Sequence, residues 1–246
     1  SSPDVPQVPT LTAFLRNFCS ITPGPADDAA GLMRSTMTQP GPYFTLDAPF
    51  VSIIGLYTNV LEGPGVISSQ GGKYPVSDDQ LNFLTAELTR LSPLRKAGDL
   101  AVIVACHHPP ASADATHAGT TGLAADIEKA CQQAQLWPDA VLSGHAHLYQ
   151  RFTRATQGRQ IPYVVAGSGG FAATPPQGGL PTAPVTLGEY TLEKDPIVNF
   201  GYLTLTVDVG SSPRTLAITF TCRDPSVTDS VTVNLDTGQL MSPAGG

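Results

Sequence analysis

Leu100-Ala101-Val102-Ile103-Val104-Ala105-Cys106-His107-His108-Pro109-Pro110 is the stretch that decides how this chain folds. Its seven leading apolar residues have no polar face, which describes a strand buried on both sides in a sheet covered by other layers. Two prolines then stop it, because proline has no N–H to give to a ladder. His107 and His108 are thereby left at the strand's carboxyl end. The event recurs downstream, where Ala140-Val141-Leu142-Ser143 is a short apolar strand that breaks into Gly144-His145-Ala146-His147. Between the two, Leu123, Ile127, Ala130, Cys131 and Ala134 recur at helical spacing, with the helix ending near Trp137-Pro138. Strand, helix, strand predicts an α/β arrangement, and ligands of open α/β sheets sit just beyond such strand ends.

Upstream, Ser77-Asp78-Asp79-Gln80 reads as a capping box that opens a helix with Leu81, Leu84, Leu88 and Leu91 on its buried stripe. Residues 43–46 and 50–57 read as two strands joined by the Asp47-Ala48-Pro49 turn. Residues 1–42, rich in Pro, Asp and Gly, read as irregular connection, with one apolar patch around Leu11, Phe14, Leu15 and Phe18 that suits a short docked helix. Downstream, residues 161–166 form a strand leading into Gly167-Ser168-Gly169-Gly170, which reads as a tight turn where segments approach closely. A Pro- and Gly-rich loop follows over residues 172–184. Residues 202–207, 215–221 and 231–235 then suggest an antiparallel finish to the same body, which places one domain over residues 43–240.

Composition narrows the function. Of 246 residues 41% are hydrophobic and 13% charged, values of a globular chain and not of a coiled coil, a collagen or a charged disordered tail. A formal charge of -7 leaves no basic surface for nucleic acid. No apolar run approaches the ~20 residues of a membrane-spanning helix, so neither nucleic acid nor membrane is an expected partner. Cys19, Cys106, Cys131 and Cys222 form no C-x-x-C pair of the kind structural zinc sites use. Few lysines and many Ser, Thr, Gly and Pro lean toward a periplasmic or secreted protein. Ser1-Ser2-Pro3-Asp4 has neither a basic start nor an apolar stretch after it, so no export signal is expected in the chain as it stands.

All five histidines, His107, His108, His117, His145 and His147, fall between positions 107 and 147. Neutral imidazole is the commonest metal ligand near neutral pH. His145 and His147 flank one residue, so on extended backbone they would point the same way, and Gly144 lets the chain bend closely around an ion. His107, His145 and His147 are the expected metal ligands. Taken singly, His108 and His117 read as hydrogen-bonded structural residues.

Val102-Ile103-Val104-Ala105-Cys106-His107-His108-Pro109-Pro110 followed by Gly144-His145-Ala146-His147-Leu148-Tyr149-Gln150-Arg151 resembles the last two signature blocks of the calcineurin-like metallophosphoesterases, and the second is most similar to the purple acid phosphatase branch. The resemblance spans roughly residues 40–210. It implies the carboxyl-terminal part of a metallophosphoesterase-type α/β sandwich, with mixed sheets and antiparallel C-terminal strands. It implies a site for two divalent or trivalent ions (Fe, Zn or Mn) that hydrolyses phosphate mono- or diesters, with His107 and His145 on one ion and His147 on the other. His108 becomes the candidate that stands behind the ligands or faces the substrate, and His117 a candidate to bond the phosphate or protonate the leaving alkoxide. Tyr149 and Arg151 match the motif as braces of the loop.

The family's first three blocks, with their aspartates and asparagine, are absent: no Asn-His pair occurs, and the one Gly-Asp, Gly98-Asp99, precedes a strand instead of following it. Two accounts stay open, a fragment whose upstream half supplies the missing groups, or a natural half-domain. Either way the chain alone is expected to be nearly inactive, and a complementary polypeptide or homodimer partner is expected to cover an apolar sheet edge along residues 50–57. A single zinc held by three histidines, and a non-catalytic binding or scaffold role, are the alternatives.

Overall fold

Leu56, Cys106, Ser143 and Val165 stand in one row across four parallel strands, and this register positions everything that follows. A computed structural model describes residues 36–59, 65–71, 76–170, 173, 175 and 178–242. The strands in chain order are β1 (Thr36–Thr38), β2 (Phe44–Ala48), β3 (Val51–Leu56), β4 (Ala101–Cys106), β5 (Ala140–Ser143), β6 (Tyr149–Thr156), β7 (Arg159–Ala166), β8 (Val185–Leu187), β9 (Tyr190–Leu192), β10 (Gly201–Asp208), β11 (Thr215–Cys222), β12 (Thr228–Asn234) and β13 (Gln239–Leu240). Among the described residues the α-helices are α1 (Asp79–Ala97) and α2 (Thr121–Ala134). Nine strands make one mixed sheet in the order β1-β2-β3-β4-β5-β7-β6-β9-β8, and β10 to β13 make an antiparallel sheet of their own.

Alternation along the central strands builds three layers. Successive side chains of a strand point to opposite faces. Val102 and Val104 therefore join Ile54 and Val141 beneath α1 and α2, against Leu84, Leu88, Leu91, Leu123 and Ile127. Ala101 and Ile103 face the other way, where Tyr149 and Val164 pack on Leu216, Ile218, Phe220, Val231 and Val233 of the small sheet. Each fully buried Leu, Ile or Phe contributes about 1.5–3 kcal/mol. The antiparallel finish is thus a separate sheet covering one face of the main one. The strand-buried-on-both-sides reading of residues 100–106 follows from this sandwiching.

Several expectations change. The capping box does not form: Ser77 Oγ donates to Asp79 Oδ2 at 2.8 Å, and α1 begins after Asp78 with no side-chain cap bond. Gln80 instead turns to the end of β3, accepting from Tyr57 N–H at 2.6 Å and donating to the Tyr57 carbonyl at 2.8 Å. A buried amide that satisfies two strand-end backbone groups at once outweighs an exposed cap. The edge along residues 50–57 is not bare, because β3 pairs with β2 antiparallel on one side and β4 parallel on the other. β2 is covered in turn by β1, which lies inside the stretch expected to be irregular. The outer strands β1 and β8 are only 3 residues long, a length that offers little template for stray pairing. The expected helix at residues 11–18 lies outside the described residues. Among those residues no helix is long and apolar enough to cross a membrane. Cys106, Cys131 and Cys222 are free thiols; Cys19 lies outside the described residues.

Candidate metal centre

The carboxyl ends of β3, β4, β5 and β7 open side by side, and each hands its next residues to one site: Thr58, His107 and His108, Gly144 and His145, and Gly167. Gly144 N–H donates to the His107 carbonyl at 3.0 Å, which joins the β4 and β5 loops directly.

The segment bearing His145 and His147 is not extended, which corrects the expected geometry. Ala146 N–H donates to the Gly144 carbonyl and Leu148 N–H to the Ala146 carbonyl, both at 2.8 Å, so each histidine is the central residue of a three-residue γ-turn. His145 has φ 66°, the rare and strained form of that turn for a non-glycine residue. Gly167 underlies it: a Cβ there would collide with the Ala146 carbonyl. The Gly-rich stretch after β7 is thus the close approach expected of it.

All five rings touch in one chain of contacts. His107 Nε2 lies 3.1 Å from His145 Nδ1. Ring centroids are 4.9 Å apart for His107 and His108, 4.4 Å for His108 and His145, 4.9 Å for His117 and His145, and 5.0 Å for His117 and His147. Among the described residues the tight donor group is His107, His108 and His145, with one ligand atom from each within 4.8 Å of the others. Two nitrogens on a tetrahedral zinc at ~2.05 Å stand about 3.3 Å apart, so the His107–His145 pair already has the spacing of shared ligands. The group fits an ion chemically: three imidazoles and no ammonium or guanidinium among them. His147 is outside the tight group and meets it through His117. The sequence placed His147 with the ligands and His108 behind them; the structure brings His108 into the tight group.

Burial, followed by the neighbouring His108, His107, His117 and His147, pushes the His145 imidazole down to about 4. A ring that resists protonation keeps its lone pair for a metal. His108 is buried and anchored by Thr58, whose Oγ1 lies 3.0 Å from His108 Nδ1 and accepts from its backbone N–H at 3.0 Å. His117 Nδ1 lies 2.8 Å from Asp114 Oδ2, an arrangement that orients the ring and leaves Nε2 as its other working nitrogen. Asp114 Oδ1 also accepts from the backbone N–H groups of Thr116 and His117. Burial would raise this carboxyl, but the bonds from His117 and the two N–H groups hold it below its ordinary value.

Sequence reading missed both anchors. The signals were faint: an aspartate three residues before His117, and a threonine two residues past the end of a strand. Tyr149 and Arg151 do brace. The Tyr149 hydroxyl donates to Asp229 Oδ2 at 2.9 Å and Arg151 Nε donates to the same oxygen at 2.7 Å, tying β6 to β12 of the small sheet.

Fold and site together define a three-layer α/β/β protein with a histidine cluster at the carboxyl ends of parallel strands. No protein-family model and no curated protein matches the chain. Among solved structures it is similar to GAP50, described as the anchor in the inner membrane complex of Plasmodium, at 15% identity and TM-score 0.49 over 83% of this chain and 55% of that one. It is also similar to the structure of PhoD, at 13% identity and TM-score 0.49 over 85% of this chain and 45% of that one. The chain spans about half the length of these two structures.

Proposed function

We propose that this chain carries the histidine half of a metal-dependent phosphoesterase acting on small phosphate mono- or diesters. The observation that supports it is the group of three imidazoles within 4.8 Å at the ends of β4 and β5. His107, His108 and His145 would hold one ion; His147, beside the Asp114-oriented His117, would serve a second, with Fe, Zn or Mn as the candidate metals. Metal ions at such a site polarise the phosphoryl oxygens and lower the pKa of a bound water. The chain's own part is to keep His145 unprotonated by burial, to fix the directions of His108 and His117 through Thr58 and Asp114, and to present His117 where it can donate to a phosphoryl oxygen or the leaving oxygen.

Among the described residues no carboxylate belongs to the tight group, and an upstream polypeptide or a second copy is proposed to supply those that the resemblance implies. A second reading draws on the same make-up: three imidazoles without a carboxylate also suit a single-zinc hydrolase with an open water position.

Calorimetric titration of the chain with zinc, then with inorganic phosphate, tests the proposal without requiring turnover. Zinc binding that promotes phosphate binding and is lost in His145→Ala is the expected result. Equal zinc and phosphate binding in the wild type and the variant would overturn it. One equivalent of zinc favours the single-ion reading and two favour the leading one, with metal-dependent hydrolysis of p-nitrophenyl phosphate as the activity readout.

A further inference from the structure

The loop that carries His107, His108 and His117 also builds a second feature. Thr120 N–H donates to the Pro109 carbonyl at 2.9 Å and closes residues 109–120 into a compact loop. The closure is tight: a Cβ on Gly119 would meet Ala111 Cα and the Pro110 carbonyl, each at 2.8 Å. This loop forms one wall of a cavity of about 490 Å³. Pro110, Ala111 and Ser112 give that wall, Ala124 and Ala125 of α2 the next, and the hairpin between β8 and β9 the third. The volume falls in the ~300–1,000 Å³ range of small-molecule sites.

The lining selects the ligand. It is mostly methyl, methylene and ring surface, with Leu187 37% exposed on the hairpin and Tyr190 beneath it. Among the described residues no Lys, Arg or His lines the cavity, so it offers no cationic side chain to a phosphate. Its one acid, Glu189, is engaged by Arg154 Nη2 at 2.9 Å. A neutral, bulky apolar group is what such a surface takes up.

Ser112 lines the cavity and sits on the same loop as His117. Its Oγ accepts from Gln150 Nε2 and from Asp114 N–H, both at 3.1 Å, and Asp114 in turn orients His117. We propose that the cavity binds the neutral aromatic or alicyclic alcohol portion of a phosphoester substrate, whose phosphoryl group goes to the histidine cluster. This rests on the phosphoesterase reading and narrows it to esters of bulky apolar alcohols.

Calorimetry on the zinc-loaded chain with 1-naphthyl phosphate, phenyl phosphate, 1-naphthol and inorganic phosphate tests it. The naphthyl ester is expected to bind at least tenfold tighter than the phenyl ester. Ala125→Phe, which fills the cavity from an exposed helix position, erases that gain and leaves inorganic phosphate unchanged; Leu187→Asp, at the hairpin, does the same. A naphthyl gain that survives both variants overturns the cavity assignment while leaving the phosphoesterase reading standing. Naphthol binding as tightly as its phosphate ester overturns the proposal as well, since the cavity would then take a free alcohol. Failure of the phosphoesterase reading looks different: phosphate binding indifferent to zinc and to His145→Ala, with naphthol binding still abolished by Ala125→Phe.

Discussion

His107 Nε2 and His145 Nδ1, 38 positions apart in sequence, stand 3.1 Å from one another because β4 and β5 are parallel neighbours in a register that ends both at the same level. Without a metal, one ring's N–H must donate to the other's lone pair. An ion held by both rings would take the place of that proton.

The depressed His145 value makes metal-free stability depend on pH. The folded ring titrates near 4 and the unfolded one near 6.5. Between these values the unfolded chain binds more protons, so stability falls as pH drops from 6.5 toward 4 and is fully present above 6.5. Denaturant midpoints measured in chelator across this window should fall more steeply for the wild type than for His145→Asn. Parallel curves would contradict the assignment.

Asp114→Ala removes an acceptor of three hydrogen bonds from Thr116 and His117. Such a change costs about 1–3 kcal/mol. Because the folded carboxyl sits below its ordinary value of 3.8, its contribution is present above that pH and is lost as the solution is acidified below it. Urea unfolding at neutral pH should show the deficit, and the gap between wild type and variant should narrow in acid below 3.8.

Gly167→Ala drives a methyl into the Ala146 carbonyl, between the two γ-turn histidines. Overpacking of this kind costs roughly 1–3 kcal/mol. Zinc affinity should fall along with the melting temperature, since Ala146 cannot move without moving His145. A lowered melting temperature with unchanged zinc affinity would show that the turn does not depend on Gly167.

Asp229→Ala strips the acceptor that both Tyr149 and Arg151 use, leaving a buried hydroxyl and a largely buried guanidinium unpaired. Breaking a buried pair from one side costs roughly 3–5 kcal/mol. A thermal or urea unfolding experiment would read this directly. The double change Asp229→Ala with Arg151→Leu should recover part of the loss, because no charge is then stranded.

Local chemistry was legible in the chain. Residues 100–106 have no polar face and stop at proline, so a buried strand ending in histidine could be read without coordinates, as could the leucine stripe of α1 and the alternation of β11 and β12. The gathering of five histidines within residues 107–147 pointed to the site for the same reason. Strand register, sheet order and loop path are long-range matters, and they settled the rest. Gln80 left its cap because Tyr57 came within reach, and β2 covered the edge along residues 50–57. His108 entered the tight group because Thr58 arrives from β3, and the γ-turns at His145 and His147 follow from the contact with Gly167. Periodicity and breaker residues act within a few positions of one another; which strand ends meet is decided by packing free energy summed over the whole molecule.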